Sequence, residues 1–156
     1  MKVTYIKHSG FAVELPGKTL LFDYYEGLLP LFDPQKPLYV FSSHRHHDHF
    51  DPIVFELAKQ YNTKYILSND IRHRPDGLDI TKVGPHKAID VDDLHIETLK
   101  STDEGVAFLI TTESRSIYHA GDLNDWVWEE ETDTYNREMT QNYRAQIQLL
   151  SQTLQG

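Results

Sequence analysis

The sequence contains no cysteine. That removes disulfides, thiolate metal sites and thiol catalysis together, and leaves imidazole and carboxylate as the side chains able to hold a metal. Basic residues are also scarce: 15 lysines and arginines face 24 aspartates and glutamates, for a formal charge of −9. A surface of that sign repels phosphate backbones at long range, so no specific nucleic-acid partner is expected. No stretch approaches the roughly 18 apolar residues that cross a bilayer. The start, Met1-Lys2-Val3-Thr4-Tyr5-Ile6, lacks the apolar run of a secretory leader. The expectation is a soluble, cytoplasmic protein with no membrane partner. A glycine-rich phosphate loop, a G-x-S-x-G elbow and a C-x-x-C pair are missing as well, so nucleotide-dependent, serine-hydrolase and thiol-redox chemistry have no motif to rest on.

What is present suits one domain over residues 1–156, with 39% hydrophobic and 25% charged residues. Val3 and Tyr5, then Phe11, Val13 and Leu15, alternate with more polar residues, and Pro16-Gly17 turns the chain into 19–22. This pattern predicts a meander opening an antiparallel sheet. Residues 24–37 have no period and read as a loop packed by its own apolar side chains. Residues 38–41 form a continuous apolar run, the mark of a strand buried on both faces. Asp51-Pro52 reads as a cap and first helical position. The helix it predicts runs to about Asn62 with Ile53, Val54, Leu57, Ala58 and Tyr61 inward. Residues 64–67 return as a strand, 72–77 form an exposed turn region, and 87–91, 94–99, 106–111 and 116–119 read as a second sheet with a turn at Asp92-Asp93. Met139, Tyr143, Ile147, Leu150 and Leu154 fall on one face of an amphipathic helix over 135–154, with Gly156 just past its end.

The chemistry concentrates in His44-Arg45-His46-His47-Asp48-His49, an H-x-H-x-D-H pattern at the carboxyl end of the buried strand. In extended or tightly turned backbone His44 and His46 point the same way and can grip one ion. Asp48 and His49, turned by the loop, can face a second. Arg45 and His47 read as solvent-facing or supporting residues. Asp23, at a strand end, is placed to accept the free ring N–H of a ligating imidazole. His8, just after the first strand, reads as a structural histidine or as one supporting the ligands; His73, His86 and His95 read as structural, and Trp126 and Trp128 as packing or as a pocket wall.

Several segments occur in a telling order: His8-Ser9-Gly10-Phe11, Leu21-Phe22-Asp23, the histidine motif, Ser101-Thr102-Asp103-Glu104-Gly105 and His119-Ala120-Gly121-Asp122. Together they resemble the metallo-β-lactamase fold superfamily, in its lactonase-like branch of metal-dependent hydrolases. The resemblance implies an α+β fold, an αββα sandwich. It implies two divalent metal ions, zinc first, with manganese or iron as alternatives. His44 and His46 would bind one ion, Asp48 and His49 the other, and Asp122 would bridge them. It further implies hydrolysis of a small-molecule ester, lactone or phosphodiester by a metal-bound hydroxide, with Asp48 and Asp122 as the catalytic carboxylates.

Two departures qualify the likeness. Asp103 stands where the family places a histidine ligand; as a harder donor it would favour manganese, iron or magnesium relative to zinc, or else it only caps the turn. The likeness also covers only the amino-terminal two-thirds of the family pattern, so an incomplete sandwich is expected, lacking the carboxyl-terminal strands and helices and a further ligand to the second ion. A non-catalytic metal-binding half-domain is therefore the competing expectation. It would associate as a homodimer to bury an open apolar sheet face.

Overall fold

The computed structural model describes residues 1–123 and 141–151. The early alternation folds as expected: β1 (Lys2–Lys7), β2 (Gly10–Glu14) and β3 (Thr19–Phe22) pair antiparallel in sequence order. From there the sheet turns parallel, β3 pairing β4 (Leu38–Ser42), β4 pairing β5 (Thr63–Ser68) and β5 pairing β6 (Asp79–Val83). Every residue of β4 is buried, as its unbroken apolar run requires. β6 lies outside the strands read from sequence. Its Asp-Ile-Thr-Lys-Val string carries two charges and only two apolar side chains, so its strand geometry comes from pairing with β5 rather than from its own pattern.

The helix expected after Asp51 is tighter than its spacing suggests. Asp51 does cap it, accepting the Ile53 amide at 2.8 Å, and Pro52 occupies the first turn, but Pro52–Lys59 winds as a 3₁₀ helix. At three residues per turn the inward face moves to Val54 and Leu57. Ile53 is 48% exposed, and the chain leaves the helix before Asn62.

The second sheet is antiparallel throughout: β7 (Ala88–Val91), β8 (Leu94–Lys100), β9 (Val106–Thr112) and β10 (Arg115–His119), in spatial order β10-β9-β8-β7. Its inner face, Leu94, Ile96, Val106, Phe108 and Ile110, packs on Val13, Leu20, Phe22, Phe41 and Ile66 of the first sheet. The other face of the first sheet is covered by the 3₁₀ helix and by the loop over 24–37, through Val54, Tyr61, Tyr24 and Phe32. The outer face of the second sheet is covered by a helix over 141–151, α1, whose Tyr143 and Leu150 pack on Leu99, Ala107 and Leu123. The layers are therefore those of the αββα sandwich, with a 3₁₀ helix and a loop forming one outer layer. Met139, Leu154 and Gly156 of the expected helix, and Trp126 and Trp128, lie outside the described residues.

One expectation loses its ground. A homodimer was inferred from a single sheet with an open apolar face, yet the chain builds two sheets whose apolar faces close on each other. Among the described residues no helix is long and apolar enough to cross a membrane.

Strand direction determines where function can sit. In the first sheet β1, β3 and β4 run the same way, and in the second β8 and β10 do. Their carboxyl ends lead into His8, Asp23, His44, Asp103 and Asp122 respectively, and these five residues meet at one rim of the sandwich.

Candidate metal centre

The His44 to His49 segment leaves β4 and curls at once. The amides of His49 and Phe50 both donate to the His46 carbonyl at 2.9 Å, so the loop presents its side chains from a single tight turn. Sheet-to-sheet contact begins here too, with the Val106 amide donating to the Ser43 carbonyl at 2.9 Å. Two glycines permit that approach. Gly105 has φ of +77°, and a Cβ there would lie 1.9 Å from the Ser43 carbonyl oxygen; Gly121 has φ of +55°, with the Ser43 Cβ and Oγ 2.7 Å from where its Cβ would be. Only glycine combines left-handed backbone with such proximity.

Beneath the loop lies Asp23, fully buried, with φ of +49° at the end of β3. Its Oδ1 accepts the Ser43 amide at 2.8 Å and its Oδ2 the Ser43 hydroxyl at 2.6 Å. With that hydroxyl proton committed, the 3.0 Å contact between Ser43 Oγ and His44 Nδ1 has the ring N–H as donor. Asp23 Oδ2 also accepts from His49 Nδ1 at 2.8 Å. One carboxylate thus fixes both imidazoles with Nδ1 inward and Nε2 toward the rim, as orienting carboxylates do at metal sites. His119 adds a third imidazole, Nε2 3.0 Å from Asp23 Oδ2, its ring stacked on Phe22. Burial opposes ionisation of Asp23, but His119 and His49 outweigh it and hold the carboxyl below the usual range.

On the rim side, Asp122 reaches between the two rings. Its Oδ2 lies 3.2 Å from His44 Nε2 and its Oδ1 3.1 Å from His49 Nε2. Both Nε2 atoms are buried and make no hydrogen bond. Burial alone would lower the His49 imidazole, yet Asp122 and Asp23 outweigh it and push it up to about 10. Positive charge is what this pocket favours, whether a proton or a divalent cation supplies it. Asp122 is in turn held below the ordinary carboxylate range, because His44 and His49 overcome the cost of its burial.

Around these atoms the donors form two groups toward the rim and a buried third, Asp23 with His44 and His49. His44, His46, Asp103 and Asp122 bring one nitrogen or oxygen each to within 4.8 Å of one another, and His8, Asp48 and His49 do the same. Every residue expected as a ligand therefore lies in one group or the other. Asp103, left between ligand and turn cap, has its carboxylate on the donor side, Oδ2 3.8 Å from His46 Nδ1, while Ser101 Oγ caps the turn by accepting the Asp103 amide at 3.1 Å. Arg45 holds the second-sheet loop to the motif through a two-pronged pair with Glu104, at 2.8 and 3.0 Å, and Glu104 also lies 3.2 Å from His46 Nε2. His47 is exposed. His73, His86 and His95 join neither group: His73 packs on Phe50, His86 lies 2.9 Å from Gln146 of α1, and His95 sits between Asp90 and Glu97. His8, read as a structural or supporting histidine, stands 3.1 Å from Asp48 Oδ2 and joins the second group.

The donor set fits hard to borderline divalent cations. Two buried imidazole nitrogens, oriented by Asp23 and Ser43, face a shared carboxylate, with further imidazole and carboxylate donors at the margin. Comparison with known proteins agrees. A family profile described as a β-lactamase superfamily domain matches residues 2–137. A UPF0173 metal-dependent hydrolase of Nanoarchaeum equitans is 29% identical over 136 residues, covering 78% of this chain and 60% of its own length. Another, from Opitutus terrae, is 30% identical over 143 residues, covering 78% of this chain and 63% of its own length. The chain thus spans about three-fifths of these relatives. Among solved structures, the metallo hydrolase Igni18 of Ignicoccus hospitalis shares the fold, with a TM-score of 0.57 at 21% identity over 76% of this chain and 59% of that one.

Proposed function

Because this chain belongs to the metallo-β-lactamase superfamily, we propose that it forms the cation-binding core of a dinuclear metal-dependent hydrolase acting on an ester, lactone or phosphodiester. The observation that carries the reading is the Asp122 carboxylate lying between the buried Nε2 atoms of His44 and His49, one oxygen to each.

His44, His46, Asp103 and Asp122 would hold one cation, and Asp48, His49 and Asp122 the other. Zinc is the first choice, with manganese or iron accepted because Asp103 offers oxygen where nitrogen is usual. When bound, such cations supply Lewis acidity, polarising a carbonyl or phosphoryl oxygen and making water acidic enough to attack near neutral pH. The chain's own part is arrangement. Asp23 and Ser43 keep the imidazole Nε2 lone pairs aimed outward, Asp122 fixes the distance between the two groups, and the half-exposed Asp48 carboxylate is placed to take a proton from attacking water.

The test measures hydrolysis of a chromogenic phosphodiester and of a simple lactone in zinc and in manganese, beside the His46→Ala variant. Turnover that depends on metal and disappears in the variant supports the proposal. Cation binding without turnover on either substrate would leave the metal-binding-module reading in its place.

A further inference from the structure

We propose that His8 is a ligand of the second cation, completing with Asp48, His49 and Asp122 a set of two nitrogens and two oxygens that mirrors the first. The inference rests on the two-cation reading above and adds a residue outside the histidine motif.

Its first support is topological. Lys7 pairs with Gly10, so His8 and Ser9 form the tip of the β1–β2 hairpin. Because β1 runs parallel in direction to β3 and β4, that tip stands on the same rim as Asp23 and His44. The second support is conformational. His8 has φ of +55°, a region that hairpin tips usually fill with glycine or asparagine because a larger side chain is disfavoured there. Histidine is among the few larger residues that enter this region, and at this tip it turns the side chain toward the rim.

The third support is where the side chain goes. His8 Nε2 lies 3.1 Å from Asp48 Oδ2, and its ring meets the His49 ring edge-on with centroids 5.2 Å apart. Donor atoms of His8, Asp48 and His49 all lie within 4.8 Å of one another. Between them points His49 Nε2, buried and without a hydrogen bond, with Asp48 Oδ1 at 3.7 Å and Asp122 Oδ1 at 3.1 Å. A simple ion pair between His8 and Asp48 would account for one of these contacts, but not for the buried His49 Nε2 turned toward the same space with Asp48 Oδ1 at 3.7 Å. With Asp122 Oδ1 reaching His49 Nε2 from the other side, the three grouped donors and Asp122 would make the four-donor set that zinc takes.

The experiment titrates metal-free protein with zinc against a chromophoric chelator, repeats the titration with cobalt to read the four-coordinate absorption bands, and compares wild type with His8→Gly and His8→Asn. Both replacements accept the left-handed backbone, so thermal unfolding of the metal-free variants should match or exceed wild type. Wild type should bind two ions. The variants should keep the first ion at wild-type affinity, bind the second at least about tenfold more weakly, and lose the second set of cobalt bands. Two ions bound with unaltered affinity in both variants would overturn the role of His8 alone, as would loss of both ions together with thermal stability, which would mark a structural residue. Fewer than two ions in the wild type would overturn the two-cation reading along with it.

Discussion

Asp23 Oδ2 accepts a hydrogen bond from His49 Nδ1 at 2.8 Å, and neither side chain is exposed to solvent. The buried residue decides which nitrogen the rim residue offers. Asp23→Asn keeps the size but turns an acceptor of four contacts into a mixed donor and acceptor. Zinc affinity should fall by about 10–100-fold although no ligand has been removed. Chelator competition measures it, and unchanged affinity in a folded variant would show the tautomer to be set elsewhere.

Asp122 lies beside one histidine of each donor group, His44 and His49, and Asp103 beside His46 alone. Asp122→Ala is therefore expected to empty both positions, and Asp103→Ala to weaken the His44 and His46 position alone. Metal analysis of the dialysed proteins, as ions per chain, distinguishes the two patterns; equal losses in the two variants would contradict the sharing.

Glycine at 105 is required by space as well as by backbone. Gly105→Ala combines a left-handed alanine, about 1–2 kcal/mol, with overlap on the Ser43 carbonyl that costs about 1–3 kcal/mol more. Gly77 provides the control, with φ of +80° and nothing within 4 Å of a Cβ; Gly77→Ala should show only the backbone cost. Urea unfolding of both variants yields the comparison, and equal destabilisation would mean the Ser43 contact relaxes freely.

Far from the rim, Lys18 ties the sheets at the start of β3. Its Nζ donates to Glu113 at 2.7 Å, Thr112 at 2.9 Å and Asp93 at 3.0 Å, with the lysine side chain only 4% exposed. Because Asp93 is largely in water, Lys18→Met should cost about 1–2 kcal/mol rather than the full penalty of a buried pair. Zinc affinity should stay at the wild-type value, since the clamp and the donors occupy opposite ends of the sandwich.

Added zinc should raise the unfolding temperature with the logarithm of its free concentration, the stabilisation being about 2.7 kcal/mol per site at one hundred times that site's dissociation constant. A chelator should reverse the gain. Melting curves that ignore zinc would show that the donors do not capture it in the folded state.

Much of this was legible in the sequence because the ligands are crowded. His44, His46, Asp48 and His49 share one turn, so their spacing alone implies convergence, and the apolar run of 38–41 marks the strand beneath them. Asp103 and Asp122 were legible only through the order of segments, since the second sheet brings them in from 59 and 78 positions beyond His44. The closeness of His8 to Asp48 and His49 was not legible, because it follows from the direction of β1 across two neighbouring strands, which no local spacing records. β6 escaped for a related reason: an edge strand with two charges takes its geometry from its neighbour. The 3₁₀ helix kept its cap and proline signals but changed its pitch, which shifted the buried face away from Ile53.

The hydrogen bond from the Val106 amide to the Ser43 carbonyl, seated against Gly105, is the point where the two halves of the sandwich touch beside the donors. Sliding one half over the other there would pull Asp103 and Asp122 off the imidazoles as a unit. Mechanical looseness between the halves and loss of ion-holding power are thus a single motion, so a mutation distant from the rim that loosens the seam is expected to masquerade as a defect in metal uptake.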